Sequence, residues 1–421
     1  CRRSTLDESV SIRGVKRFMV EQEVTIQYPE VREDENNAKR KVAVVGAGPA
    51  GLSCAYFLAR LGYKPRVFEA APRPGGMLVQ TIPAYRLPRE VLAREIRMIE
   101  RLGADIETNS HLGKDFTLQS LKEEGYEAVF IGVGAPQGVK MGIPGEELDG
   151  VVDAIGFLRE YNIRGSVPVG NKVVVVGGGN AAIDAARTAV RLGSKEVTII
   201  YRRTRSEMPA YAEEVEEAER EGVRIRLLAA PLEVVGDKGK VKGLKCTLMG
   251  LGDFDRSGRR RPVAQESSEF IVEADQVIAA IGQSLDANEI VNGTEVKITR
   301  KGFIEANPVT GQTSIPWIFA GGDSATGPWS VIEAVAGGER AAVGIDQYLT
   351  GENHAFWREE QEVDTYFDPN ADPVLYPRPK VRLMPVNKRR HNFDEVELPW
   401  SEGVAQREAK RCLRCDYREK C

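Results

Sequence analysis

The chain has 421 residues, with 58 Lys and Arg against 62 Asp and Glu and a formal net charge of −4. That length exceeds one ordinary domain and predicts two or three, each with its own core. Near-balanced charge excludes a general attraction to nucleic acid or an anionic membrane, and no apolar run approaches the ~18–20 residues of a membrane helix.

Residues 1–38 are polar and charged, with one apolar-spaced stretch over 10–20 and a solvated run over 32–37, and predict the remnant of a small domain plus a linker. Cys1 stands where an initiator Met would, so a chain cut from a longer polypeptide is expected. A buried strand is predicted over 41–45, a turn over 46–51, a helix over 52–61 closed by Gly62, and a second strand over 64–69. The same βαβ opening returns at 172–176, followed by Gly177-Gly178-Gly179-Asn180-Ala181-Ala182. Gly46 and Gly177 share a 131-residue offset (46 to 177) with Gly48 and Gly179, and with Arg60-Leu61-Gly62 and Arg191-Leu192-Gly193. The chain therefore reads as α/β, with two Rossmann-like dinucleotide-binding domains, the second inserted after the first has begun. Residues 213–221 read as an exposed acidic helix, and 241–281 as short strands broken by a polar loop at 253–262. A strand, a Gly-rich turn and a helix over 317–348 complete the first domain. The resulting organisation is 1–38, then 39–145 with 301–351 as the first nucleotide domain, 146–300 as the second, and 352–421 as an extension that wraps a domain or a partner.

The first G-x-G-x-x-G is Gly46-Ala47-Gly48-Pro49-Ala50-Gly51. Gly46 permits the tight turn, Gly48 lets a pyrophosphate approach the backbone, and Gly51 packs helix against strand, while the helix N-terminus attracts the phosphate. Glu69, beside Ala70 at the end of the second strand, is placed to accept hydrogen bonds from a ribose diol. Gly75-Gly76-Met77 would clamp the other face of the diphosphate. Downstream, Gly322-Asp323 follows a buried strand and suits a ribityl hydroxyl. Ser330 and Val331 open a helix whose positive end would face an isoalloxazine ring. These features point to FAD.

The second site comprises Gly177, Gly179, Asn180, Ala181 and Ala182. Its second strand ends in Tyr201-Arg202-Arg203, without the carboxylate that NAD would favour. Arg202 and Arg203 suit the 2′-phosphate of NADP(H), each charge-assisted bond contributing roughly 1.5–3 kcal/mol. The competing reading has these arginines covering a surface or binding a partner.

Hydride exchange between two stacked rings needs proximity and orientation more than an acid or base, so no catalytic side chain is assigned. His111, His354 and His391 are widely separated and read as surface or packing residues. Neither nucleotide domain holds a C-x-x-C, which disfavours a dithiol relay, and Cys54 and Cys246 read as structural. The other cysteines are Cys1, Cys412, Cys415 and Cys421, with metal-ligand spacing at the C-terminal end. Iron–sulfur, of the 4Fe–4S kind, is favoured over zinc, for which His391 would complete the ligand set. The fourth cluster ligand would come from Cys1, from further sequence or from a partner. Six cysteines in this pattern fit a reducing compartment, hence the cytoplasm. The basic run at 378–390 reads as a solvated or subunit-facing strip.

Cys1-Arg2-Arg3, Gly46 to Gly51, Ile82-Pro83-Ala84-Tyr85-Arg86-Leu87-Pro88, Gly177 to Asp184, Tyr201-Arg202-Arg203, Met208-Pro209 and Gly321-Gly322-Asp323 together resemble the glutamate synthase small-subunit family of NAD(P)H/FAD oxidoreductases. They are also similar to the large subunit of electron-bifurcating ferredoxin:NADP oxidoreductases. The resemblance covers nearly the whole chain. It implies FAD on the first domain, with Arg86, Ala135 and Gly282 among the cofactor contacts, and a nicotinamide nucleotide on the second. It implies that Cys1 is the last ligand of an amino-terminal iron–sulfur domain, and that residues 408–415 resemble relatives continuing into another cluster domain. The expected partners are iron–sulfur and flavin subunits of a hetero-oligomeric complex, ferredoxin among them, with no nucleic acid and no membrane. One departure stands out: Ile131-Gly132-Val133-Gly134-Ala135 replaces the family's usual Ala-Thr-Gly. The expected function is an NADP(H) oxidoreductase subunit passing electrons between NADPH, FAD and clusters. The alternatives are a glutamate synthase small subunit, a non-catalytic FAD-bearing assembly subunit and a disulfide reductase.

Overall fold

The computed structural model describes residues 1–22, 29–255, 258–358 and 376–413. They fall into two units, Glu30–Ala355 with Val386–Asp394, and Cys1–Pro29 with Phe356–Pro385 and Glu395–Cys421.

The larger unit is built on two parallel sheets. In the first, β1 (Val42–Val45), β2 (Arg66–Glu69), β3 (Asp105–Thr108) and β4 (Ala128–Ile131) are joined much later by Ile318–Ala320, giving the order 318–320, β4, β1, β2, β3. Every pairing is parallel, which requires helical crossovers and burial of both faces. That is why β1 and β4 are wholly apolar and wholly buried. Helix α1 (Pro49–Arg60) follows β1, and Gly62 ends it at φ +88°. The long helix Val331–Thr350 lies directly on α1. A Cβ on Gly338 would fall 2.1 Å from the Ala50 carbonyl oxygen, so glycine alone permits this approach.

The second sheet runs, in spatial order, 151–153, 276–279, β5 (Lys172–Val176), β6 (Glu196–Tyr201) and 224–227, again all parallel. Helix α2 (Asn180–Arg191) follows β5, and α3 (Ala212–Arg220) lies between β6 and the last strand. An antiparallel sheet fills 229–273, and its central strand is Lys240–Phe254. Within the stretch expected as a polar loop at 253–262, Asp253 and Phe254 still belong to that strand, and 260–262 open Arg260–Ala264, which pairs back onto it. Gln137–Gly138 and Gln283–Ser284, on the two chain crossings between the sheets, pair antiparallel.

Two further expectations are corrected. Helix α3 is not simply exposed and acidic, since Val215, Glu217 and Ala218 are buried, as is Glu221 just beyond it. The basic run at 378–390 is not merely a solvated strip, since Arg389 is buried against those same glutamates.

In the smaller unit, helices Ile12–Gln22 and Glu402–Ala409 pack together around two fully buried arginines. Arg3 donates to both oxygens of Asp7 at 2.7 Å, and Arg411 donates to Asp7 at 2.9 Å and to Glu408 at 2.9 and 3.0 Å. Among the described residues, no helix is long and apolar enough to cross a membrane.

Candidate functional site

At the C-terminal end of β1 the backbone turns at Gly46, φ +96°, where a Cβ would lie 2.7 Å from the Gly132 oxygen. The unusual crossing Ile131 to Ala135 thus sits directly on the turn. Gly51 has still less room, with a Cβ 1.8 Å from the Gly46 oxygen, so a side chain there would push α1 off the strand. Gly48 differs: its Cβ position is 3.8 Å from the nearest atom, the Cα of Gly76, leaving the backbone open. Gly75 N donates to Ala47 O at 2.7 Å and pins residues 75–77 beside the turn. Pro49 and Ala50 form the first helical positions, with the helix N-terminus aimed at the gap.

Glu69 has a first task that sequence reasoning missed. Its Oε2 accepts from Ala47 N at 2.7 Å and its Oε1 from Ala71 N at 2.8 Å. The side chain thereby holds the glycine turn in shape, with lone pairs remaining for a diol. Burial pushes its carboxyl upward, and the two amides pull against that shift.

Gly322, at φ +62°, approaches α1 so closely that a Cβ would lie 2.8 Å from the Cβ of Ala50. Asp323 begins the next turn, its Oδ1 accepting from Trp329 N at 3.2 Å and its carboxyl pushed up by burial. Ser330 caps the long helix by accepting from Glu333 N, and Val331 is its first residue. Next to them in the chain, Trp329 (76%) and Ile332 (72%) are exposed apolar side chains. The fold therefore brings Gly46, Gly48, Ala50, Gly51, Gly76 and Gly322 together at one crevice, with the buried Glu69 carboxylate bonded to its turn.

The second crevice repeats this construction. Gly177, at φ +148°, would place a Cβ 2.2 Å from the Ala280 oxygen, whereas a Cβ on Gly179 meets nothing within 4 Å. Asn180 opens α2 and its Oδ1 accepts from Tyr211 N at 3.2 Å; Ala181 follows, half-buried. Ala182 replaces the third glycine and is fully buried. Gly282 has a φ of +146° on the returning crossing.

The two arginines ending β6 part ways. Arg202 is exposed and has no partner among the described residues. Arg203 is buried, donating from Nε to Arg260 O and from Nη2 to Asp255, both at 2.8 Å. The expectation that both arginines are free for a 2′-phosphate is therefore corrected: Arg203 holds the antiparallel hairpin, and Arg202 is exposed.

Arg86 is likewise engaged elsewhere than expected. Its Nη1 donates to both oxygens of Asp184 on α2, at 2.8 and 3.0 Å, linking the first domain to the second. Burial pushes the Asp184 carboxyl up to about 6, with Arg86 opposing the shift. Ala135 is buried at the start of the crossing between the domains. Sequence reasoning also missed Tyr85, Arg187, Arg191 and Glu221, which share this seam. The available signal was arginines at i and i+4 on α2, facing glutamates at i, i+3 and i+7 along 214–221.

Cys1 and Cys412 are exposed free thiols, while Cys415 and Cys421 lie outside the described residues. Among the described residues no group of three or more His, Cys, Asp or Glu side chains is arranged to hold a metal. Cys54 and Cys246 are buried; burial pushes Cys54 up and Cys246 up to about 12, which suits inert packing thiols. His354 Nδ1 lies 2.9 Å from the buried carboxylate of Asp346, and His111 Nδ1 lies 2.7 Å from Leu112 O, both local packing roles.

The sequence profile described as pyridine nucleotide-disulphide oxidoreductase matches residues 40–338. The beta subunit of NADP(+)-dependent formate dehydrogenase from Moorella thermoacetica is 43% identical over 448 residues, covering 99% of this chain; the chain spans only 63% of that relative's length. The NADPH glutamate synthase small chain of Escherichia coli is 37% identical over 356 residues, covering 81% of this chain and 75% of that one. Among solved structures, Mycobacterium tuberculosis FprA in complex with NADPH superposes with a TM-score of 0.64 at 21% identity, covering 74% of this chain and 85% of that chain, a likeness of fold.

Proposed function

The chain belongs to the pyridine nucleotide-disulphide oxidoreductase family, and we propose that it is an NAD(P)H oxidoreductase, the NADPH-oxidising flavoprotein subunit of a larger electron-transfer complex. FAD would be held in the first crevice and NADPH in the second. The observation that carries this reading is the paired construction of the crevices. Each has one glycine locked by sterics, Gly46 or Gly177, and one left open to a ligand backbone, Gly48 or Gly179. The two sites then differ in charge, with Glu69 at the first turn and the exposed Arg202 at the end of the strand beside the second.

FAD fits the donors and the space of the first crevice. Gly48 and Gly76 would bracket the diphosphate, Glu69 would accept from the ribose and Asp323 from the ribityl chain. The N-terminus of the helix capped by Ser330 would face the ring. When bound, FAD supplies an acceptor for the nicotinamide hydride that can release electrons singly. This chain's residues bind, orient and exclude water, and none is asked to move a proton. Arg202 would select NADPH over NADH by pairing with the 2′-phosphate.

Downstream, Cys1, Cys412, Cys415 and Cys421 would serve iron–sulfur centres that carry electrons to or from partner subunits. The names of the relatives, a formate dehydrogenase beta subunit and a glutamate synthase small chain, support a subunit role. Delivery of electrons to a glutamate-forming partner is a second reading, favoured by the 81% of the chain aligned with the small chain. Ferredoxin-linked bifurcation and a cytoplasmic location are further parts of the proposal. Anaerobic purification of the full chain with its partners, followed by flavin extraction and iron and labile-sulfide assays, is the test. About one FAD per chain with stoichiometric iron and sulfide is expected; a preparation with correctly folded protein and no FAD overturns the reading.

A further inference from the structure

The seam between the two nucleotide domains carries a buried ion network closed by a segment far along the chain, outside the family-matched residues 40–338. Arg86 comes from the first domain, and Asp184, Arg187 and Arg191 from α2. Glu214 and Glu217 lie on α3 and Glu221 just after it, and Arg389 ends the short helix Val386–Arg389. Four arginines meet four carboxylates. Glu221 accepts from Arg187 at 2.7 and 3.0 Å and from Arg191 at 2.6 and 3.0 Å. Arg389 reaches Glu221 at 3.0 Å and also pairs with Glu217. Burial pushes the Glu221 carboxyl upward, but Arg187 and Arg191 outweigh it and hold the group below its ordinary range.

An aromatic layer lies over these charges. The ring of Tyr85, fully buried in the first domain, has the guanidinium carbons of Arg191 and Arg187 at 3.9 and 4.8 Å from its centroid. Phe393, four residues past Arg389, lies between the domains. It stacks on Tyr161 of the second at 4.3 Å, and its ring is 6.2 Å from Tyr85 of the first. Further polar links cross the same seam. Arg89 donates to Asn162 at 2.9 Å, Asn162 to Gln80 O at 3.1 Å, and Arg73 to Ile163 O at 2.9 Å.

We propose that residues 386–394 are a positioning strap: Arg389 and Phe393 fix the second nucleotide domain against the first at one angle, so that the hydride donor meets its acceptor without rotation of one domain on the other. The physical ground is that Arg389 completes the neutralisation of Glu217 and of Glu221, the latter also bound by Arg187 and Arg191 under Tyr85, while the Phe393 ring bridges Tyr161 of the second domain and Tyr85 of the first. Loss of either loosens the seam without touching a nucleotide-binding residue. The strap's role in hydride transfer rests on the functional reading above, whereas its mechanical role does not.

The test uses the full chain carrying its flavin, as wild type, Arg389→Met, Phe393→Leu and the conservative Arg389→Lys. Hydrogen exchange read by mass spectrometry should accelerate by about tenfold in peptides spanning 77–89 and 154–164 in Arg389→Met and Phe393→Leu, with β1 and β5 unchanged. In anaerobic stopped flow the limiting rate of flavin reduction by NADPH should fall ~10- to 100-fold, with NADP(+) affinity altered less than about threefold. The isotope effect from 4-deuterated NADPH should shrink toward unity as domain positioning becomes slow, and Arg389→Lys should restore most of the rate. Unchanged exchange in both variants overturns the strap. Accelerated exchange with an unchanged limiting rate overturns its role in hydride transfer. If Arg389→Met fails to fold, Phe393→Leu decides by the same two readouts. Wild-type flavin that NADPH does not reduce refutes the functional reading instead, and the exchange comparison still decides the strap.

Discussion

Arg202 and Arg203 are neighbours in sequence with different surroundings. The Arg203 guanidinium is spent on Asp255 and a backbone carbonyl, whereas Arg202 is exposed and is the one we propose for the 2′-phosphate. Arg202→Gln should therefore weaken NADPH binding ~10- to 100-fold and leave NADH almost unaffected, as titration of each nucleotide will show. Arg203→Gln should instead lower the melting temperature, because it removes the buried guanidinium that ties β6 to the hairpin through Arg260 O and Asp255. Asp184 gives a pH prediction. Its carboxyl titrates at about 6 in the folded protein against an ordinary 3.8, so as pH falls the folded state takes up this proton before the unfolded state does. Its contribution to stability is therefore fully present below pH ~4 and is lost as pH rises through about 6. Asp184→Asn should flatten that part of the profile by on the order of 1 kcal/mol or more in denaturant unfolding across pH 4–7. An unaltered profile would count against a buried, ionisable Asp184.

At the scale of elements, the glycine turns divide into those that fold the protein and those that leave room for a ligand. A methyl on Gly51 would meet the Gly46 oxygen at 1.8 Å, so Gly51→Ala should cost about 1–3 kcal/mol and release flavin. Gly179→Ala has no atom within 4 Å to strike, so its melting temperature should stay near wild type while NADPH affinity falls. Thermal unfolding beside nucleotide titration separates the two. These turns were legible in the sequence because their constraint is local: strand, glycine spacing and helix follow one another directly, from Val42 to Arg60 and from Lys172 to Arg191. Glu69 was legible as a strand-end acid, but its grip on Ala47 N was not, since it depends on the path of the loop. The seam was hidden for the opposite reason to the turns. Glu217 and Arg389 are 172 residues apart, and charges that pair in the interior look in sequence like solvated ones. The same holds for Arg86, whose partner Asp184 is 98 residues away.

For the whole molecule, two parallel sheets on one chain present their strand C-termini as two crevices, and the seam holds them as one unit. The two-domain α/β architecture followed from the 131-residue repeat (46 to 177), because an inserted copy of a βαβ unit must build its own parallel sheet. The cysteine clusters stand differently, since Cys415 and Cys421 fall outside the described residues, and their chemistry rests on spacing alone. The central claim is that NADPH bound at Gly179 and Arg202 reduces a flavin bound at Gly48 and Glu69. Anaerobic rapid mixing of the flavin-loaded protein with NADPH or NADH tests it most directly. Bleaching of the flavin band by NADPH, at least about tenfold faster than by NADH at equal low concentration, is the predicted result. No bleaching by either nucleotide would contradict it.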